Sequence, residues 1–208
     1  MKVAAVSDLH GFYPEIPKCD VLLVAGDILG PSDIFMQMKM LNGPFLKWIE
    51  RIPAKDIILV AGNHDLIFEQ RKELLPLWPE NVHYLQDKEI TIDGKNIYGS
   101  PWQRRFCDWA FNLDEWQLEE VWNNIPTSTD ILVTHSPPFG VGDFNKAGVN
   151  LGSPSLTKRV EEISPMLHVY GHIHEGRGVY NIGDTIAANV TLVDDAYKPV
   201  YKVMEFNL

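Results

Sequence analysis

Two histidines one residue apart stand in the stretch HVYGHIHEGRG (168–178), where His172 and His174 occupy a glycine-bracketed turn after a short apolar run. Four other apolar runs end in a similar way. Asp8 and His10 follow VAAVS, Gly26-Asp27 follows VLLVA, Gly62-Asn63-His64-Asp65 follows IILVA, and His135 follows ILVT. Imidazole nitrogens and carboxylate oxygens are metal ligands, so the chemistry these residues offer is that of a bound cation. Residues i and i+2 of an extended chain share a side, which lets Asp8 and His10 meet one ion. The Asp27 carboxylate can bridge two cations, and the glycine before it permits close backbone approach. Each feature is ordinary alone: Asp-x-His is a common turn, Asn63 a good turn residue, and a lone histidine a common packing element. Their joint occurrence is not ordinary. Of the seven histidines, five (10, 64, 135, 172 and 174) fall at the ends of apolar runs, and strand carboxyl ends are where ligands gather in α/β sheets. His83 and His168 do not, and are read as structural.

The elements that must position these residues are short strands. Near-continuous Val, Ile, Leu and Ala in the five runs predicts strands covered on both faces. Between them SDIFMQMKM is predicted to be a helix capped by Ser32, and DLIFEQRKELL one beginning at Asp65. LDEWQLEEVWNNI carries acids in its first turn, and SPSLTKRVEEI can be capped by Ser153 or Ser155. Asn42-Gly43-Pro44 is expected to break 32–51 into two helical pieces. EITIDGKNIYGS alternates around Asp93-Gly94, a type I′ hairpin signal. RGVYNIGD, TIAANVTLV and PVYKVMEF read as sequential antiparallel strands. The fold class is α/β: two mixed sheets packed face to face with helices outside, a four-layer α/β/β/α sandwich forming one domain over 1–208.

Composition narrows the rest. Apolar content of 45% and charged content of 22% exclude disorder as the default. No run reaches the length of a membrane span, and the apolar start is too short for a signal-peptide core, so a soluble cytoplasmic protein is expected. The formal charge of −10 argues against binding extended duplex nucleic acid, but not against a phosphate substrate beside bound cations. Cys19 and Cys107 have no zinc-ligand spacing and are read as small buried or half-buried groups.

The order Asp8-x-His10, Gly26-Asp27, Gly62-Asn63-His64-Asp65, His135, Gly171-His172-x-His174 resembles the calcineurin-like metallophosphoesterases over essentially the whole chain. The longer blocks GSPWQ, CDWAFNL, DILVTHSPPFG and GHIHEGRG are similar to the branch related to brain-type metallophosphoesterase-domain proteins and class III cyclic nucleotide phosphodiesterases. Some animal members of that branch have glycine where this chain has His172; here the ligand set is complete. The resemblance implies that Asp8, His10, Asp27 and His174 bind a first metal. It implies a second held by Asn63, His135 and His172, with Asp27 bridging. Two divalent transition-metal ions are expected, Mn, Fe or Zn, with Mn favoured. A hydroxide bridging them would attack a phosphoester in line. His64 would contact phosphate or protonate the leaving oxygen, with Asp65 orienting its ring.

The expected substrate is a small phosphodiester, with a cyclic nucleotide the leading choice. A phosphomonoesterase, or a nuclease on short single strands, uses the same chemistry. A non-catalytic scaffold of this fold would show missing ligands, and none is missing. Trp102, Gln103, Arg104 and Arg105 are candidate substrate contacts, with the SPPFGVGD loop and Arg177 also at the rim. Trp116 and Trp122 are read as the core face of a helix. The sequence leaves the oligomeric state open.

Overall fold

The computed structural model describes residues 1–208. The first sheet is built from β1 (Lys2–Val6), β2 (Cys19–Ala25), β3 (Ala54–Val60) and β4 (Val82–Tyr84), parallel in that order. A second sheet contains the hairpin β5 (Lys88–Ile92) and β6 (Lys95–Ser100). Two short strands, β7 (Gln103–Arg104) and β8 (Asn112–Leu113), form a separate ribbon. The second sheet continues through β9 (Ile131–Thr134), β10 (Leu167–Tyr170), β11 (Gly178–Ile182) and β12 (Thr185–Asn189), in the spatial order β11-β12-β10-β9-β6-β5. Its four central strands are parallel and its two edges antiparallel. Asp93 and Gly94 both have positive φ (47° and 75°), as a type I′ turn requires. The helices are α1 (Ile34–Met40), α2 (Leu46–Ile49), α3 (Leu66–Gln70), α4 (Glu115–Asn123) and α5 (Pro154–Ile163).

Period-two alternation sorts the core into layers. Val3, Ala5, Val21, Leu23 and Ile58 face inward and meet Ile131, Val133, Leu167 and Val169 of the second sheet. Their neighbours Ala4, Val6, Leu22, Val24 and Ile57 face the other way and pack on Leu41, Phe45, Trp48 and Phe68. Beyond the second sheet, Leu132 and Tyr170 pack on Leu118 and Trp122 of α4 and on Leu156 and Val160 of α5. The three apolar layers require four layers of secondary structure, the α/β/β/α sandwich.

Several local expectations change. The last strand, β13 (Met204–Asn207), does not follow β12; it crosses to the first sheet and pairs antiparallel with β1. Met204 and Phe206 pack on the intersheet core there. Pro44 does not break its helix but sits in a π turn, Leu41–Phe45, joining α1 to α2. The wider turn accommodates a residue that has no N–H to donate. Asp33, not Ser32, caps α1 by accepting from the Met36 N–H at 2.9 Å. Asp114 and Gln117 form a capping box on α4, and Ser153 caps α5. No helix is long and apolar enough to cross a membrane.

Candidate metal centre

Parallel strands from both sheets point their carboxyl ends at one place. Asp8 and His10 follow β1, Asp27 follows β2, Asn63 and His64 follow β3, His135 follows β9, and His172 and His174 follow β10. Backbone bonds lock these ends together: Asp8 N–H to the Gly26 carbonyl at 3.0 Å, His10 N–H to Asp27 at 2.9 Å, and Gly171 N–H to His135 at 3.1 Å. Asp8, His10, Asp27 and His172 all have positive φ (55°, 44°, 50° and 69°). Left-handed backbone is uncommon outside glycine and costs about 1–3 kcal/mol per residue, so it persists where the surroundings impose it. Space is equally tight. A Cβ on Gly62 would lie 2.3 Å from Asp27 Oδ1, and one on Gly171 would lie 2.2 Å from Asp8 Oδ2.

The donors converge in three overlapping groups: Asp8 with His10 and His174; Asp8 with Asp27 and His135; and His10 with Asp27 and His64. Within each group one donor atom per residue lies within 4.8 Å of the others. Asn63 adds its Oδ1, 2.8 Å from His135 Nε2. His172 stands beside His135, with ring centroids 5.0 Å apart, and its N–H donates to both Asp8 oxygens at 3.1 Å.

These contacts leave several lone pairs aimed at a common space. His135 donates Nδ1–H to the Ala25 carbonyl at 2.9 Å, so its Nε2 offers a lone pair, and that lone pair faces Asn63 Oδ1. Protonating the ring is disfavoured, since burial lowers the His135 pKa. Turning the Asn63 amide over would satisfy the ring, whereas the present orientation leaves both lone pairs free for a cation. His174 repeats the pattern: Nδ1–H donates to the Asp194 carbonyl at 3.0 Å, turning Nε2 toward Asp8 Oδ1 at 3.6 Å. Both ring nitrogens of His10 are buried with no hydrogen-bond partner, and burial pushes its pKa down to about 3. Asp27 is buried near two other carboxylates, so burial first and then Asp65 and Asp8 raise its pKa well above the usual range. Mixed nitrogen and oxygen donors aimed inward, with backbone carbonyls fixing the histidine tautomers, fit divalent transition metals.

Residues 1–176 match the family model described as calcineurin-like phosphoesterase. The chain belongs to the calcineurin-like phosphoesterase family. It is 39% identical over 230 residues to human "Metallophosphoesterase domain-containing protein 1", spanning 96% of this chain and 68% of that protein. A UPF0046 protein of Caenorhabditis elegans is 33% identical over 220 residues, spanning 96% of this chain and 76% of its own. Among solved structures, TT1561 of Thermus thermophilus superposes with a TM-score of 0.60 at 15% identity, covering 99% of this chain and 98% of that one. The phosphopantetheinyl hydrolase PptH of Mycobacterium tuberculosis does so with 0.58 at 16%, covering 99% and 95%. The family's chemistry is phosphoric-ester hydrolysis, with divalent metals its usual cofactor.

In this phosphoesterase, His64 and Asp65 divide differently from expectation. The His64 ring stands at the cluster's edge, its Nε2 3.9 Å from Asp27 Oδ2, and packs on Trp109 with centroids 4.5 Å apart. Burial and then His135 push its pKa down to about 4. Asp65 does not touch that ring, and its side chain does not cap α3. Its carboxylate instead accepts three backbone N–H groups, from Gly62 (2.8 Å), Ile28 (3.1 Å) and Leu29 (2.8 Å). Three donors on adjacent loops outcompete one ring, and they make Asp65 a brace between the loops carrying Asp27 and Asn63.

A cavity of about 620 Å³ opens over the cluster, with His64, Asn63, His172 and His174 in its floor. Arg104 and Arg105 line it; Trp102 and Gln103 do not. Gln103 is buried and donates to Asn112 Oδ1 at 3.1 Å, because neighbours along β7 point to opposite sides. Trp102 packs on Phe111 and donates its indole N–H to Asp87 at 2.8 Å. Arg177 is also drawn away, donating to the Thr191 and Lys202 carbonyls. From the SPPFGVGD loop, Ser136 reaches the cavity. Trp122 is core, whereas Trp116 is 63% exposed; six residues at 100° each place the two on different helix faces. Cys107 is exposed rather than half-buried. His83 pairs with Asp56 at 2.9 Å, and buried His168 meets Thr134 Oγ1 at 2.9 Å, both outside the donor cluster. Two wall residues, Trp109 and Tyr197, escape the residue pattern. Trp109 lies in the CDWAFNL block and is detectable only through the resemblance.

Proposed function

We propose that this phosphoesterase hydrolyses a small phosphodiester, of nucleotide size, at a two-metal centre. The observation that carries the reading is the set of three overlapping donor groups, two of them containing Asp27, beneath a cavity of about 620 Å³. Asp8, His10, Asp27 and His174 would hold one ion, and Asp27, Asn63, His135 and His172 the other. Bound there, two divalent cations supply a nucleophilic water near neutral pH and offset phosphoryl charge.

The chain's own residues do the rest. His64 stays neutral near pH 7 in the free protein and presents an N–H to a phosphoryl or leaving oxygen. An anion beside it raises its pKa toward the range useful for proton donation. Trp109 holds the ring in place and excludes water from one side. Two features favour a diester over a monoester. The cavity extends past the donors to Phe106, Leu113 and Leu151, giving a second ester substituent an apolar wall. Arg104 and Arg105 each have an acid beside them, Glu115 (3.5 Å) and Asp114 (2.9 Å), so the net positive charge at this wall is small, which favours a monoanionic diester over a dianion.

The test is a panel of mono- and diesters, including bis(p-nitrophenyl) phosphate and 2′,3′-cyclic nucleotides. Protein stripped of metal and separately reloaded with Mn, Fe and Zn is assayed on each. Diester turnover restored by two equivalents of metal is expected. Faster turnover of monoesters assigns a phosphomonoesterase instead, and no turnover with any metal removes the catalytic reading.

A further inference from the structure

The turn Asp194–Lys198 lies beyond the residues matched by the family model, yet it carries an aromatic side chain over the donor cluster. The Tyr197 ring meets His10 edge-on at 4.8 Å between centroids, His174 at 5.2 Å and His64 at 6.2 Å. Two observations set it apart from a packing aromatic. The residue is 41% exposed. Its hydroxyl makes no hydrogen bond within the protein and, unlike the unpartnered, buried hydroxyl of Tyr13, belongs to a residue that lines the cavity. Its φ is 58°, a left-handed conformation shared with the cluster residues Asp8, His10, Asp27 and His172 and with residues outside it such as Phe111.

The turn that imposes this conformation is tied to the site. Asp194 Oδ1 accepts from Ala196 and Lys198 N–H, both at 2.9 Å. The Asp194 carbonyl accepts the Tyr197 N–H at 2.9 Å and the His174 Nδ1–H at 3.0 Å. One residue therefore orients both a metal-ligand candidate and the tyrosine beside it. Across the cavity mouth, Asp195 pairs with Lys146, fastening the turn to the loop after β9.

We propose that Tyr197 is a substrate-contact residue whose hydroxyl donates a hydrogen bond to a phosphoryl oxygen of the bound ester, and that Asp194 positions it. The proposal rests on the phosphoesterase reading above. Donation to a charged oxygen at a partly desolvated site corresponds to about 10- to 100-fold in affinity.

Two variants decide it. Tyr197→Phe removes only the hydroxyl; Tyr197→Gly removes the ring and relaxes the backbone. For each, metal content, Tm and the Kd of inorganic phosphate for manganese-loaded protein are measured, with kinetics on bis(p-nitrophenyl) phosphate alongside. Tyr197→Phe should keep its metal and its Tm while phosphate binding and kcat/KM fall at least 10-fold. Tyr197→Gly should keep its metal and bind phosphate no better than Tyr197→Phe. Parental phosphate affinity and kcat/KM in Tyr197→Phe overturn the proposal. So does a Tyr197→Gly protein that melts lower and loses metal, which marks the ring as packing. If the parent protein turns over no ester, the catalytic reading fails separately, and the phosphate titration still judges Tyr197. A parent that binds no phosphate overturns the proposal outright.

Discussion

Replacing Asp65 by asparagine separates a structural brace from a catalytic partner. The wild-type carboxylate receives Gly62 and Ile28 N–H on one oxygen and Leu29 N–H on the other. In Asp65→Asn, one of those positions becomes an amide N–H₂. With the carbonyl kept toward Gly62 and Ile28, the new donor points at the Leu29 N–H, 2.8 Å from the original oxygen. Losing a charge-assisted bond costs about 1.5–3 kcal/mol, and stranding a buried donor about 1–3 more. Removing a buried carboxylate offsets part of this, since burial pushes the Asp65 pKa up to about 7 even with three donors on it. The net destabilisation is about 3 kcal/mol. For metal-free protein in urea at pH 8, with a slope of about 2 kcal/mol per molar, the midpoint falls by about 1.5 M. Metal affinity falls with it, because the lost bonds set the loops of Asp27 and Asn63. A variant with the parental midpoint and full metal content, but turnover reduced about 10³-fold, would show that Asp65 acts on His64 and refute the brace.

His64→Ala should retain its metal by elemental analysis and lose about 10²–10⁴ in kcat, the range for a proton-transfer group; empty sites would move His64 into the ligand set. His168 is buried, with its pKa pushed down to about 3 from 6.5, so the fold keeps it neutral while the unfolded chain takes up a proton. Stability from this residue is intact above pH 6.5 and is lost as pH falls toward 3, by about 1.4 kcal/mol per unit. His168→Asn should flatten the pH slope of the unfolding free energy between pH 6 and 4 by that amount, and an unchanged slope would contradict it. Stripping metal with a chelator should lower Tm, by the equivalent of about 4 kcal/mol when free metal stood near 1,000 times its Kd. Equal melting curves with and without chelator would count against occupied sites.

Much of the fold was legible because its signals are local. Runs such as VLLVA and ILVT read as doubly covered strands, and β2 and β9 are buried on both faces. Asp93-Gly94 announced its hairpin through the backbone it demands. What failed to show depends on the path of the chain. The alternation in VMEF is the same whichever sheet β13 joins, so its crossing to β1 leaves no mark in the residues. Pro44 reads as a helix break because the wider turn that spares it is not encoded by composition. Of the four rim candidates, strand alternation alone could have separated Gln103 from Arg104. Tyr197 could not have been found that way, since a loop aromatic has no period and reaches the site by tertiary path.

The donor residues themselves were visible because their types are costly where they stand. Asp8, Asp27 and Asp65 are buried within one cluster, and no lysine or arginine pairs with any of them. Four donor positions hold left-handed backbone, and Gly62 and Gly171 are pressed too closely for any side chain. Each of these conditions disfavours the folded chain on its own, by desolvation, by strain or by loss of backbone entropy. A packed apolar cluster of similar volume would be more stable at the same strand ends. The arrangement becomes favourable when positive charge enters among the acids and the bare imidazole nitrogens, which is the condition under which it can also act on a phosphoester. Stability and activity in this protein should therefore rise together as metal is titrated in, and a titration that restores one without the other would separate the cluster from the chemistry.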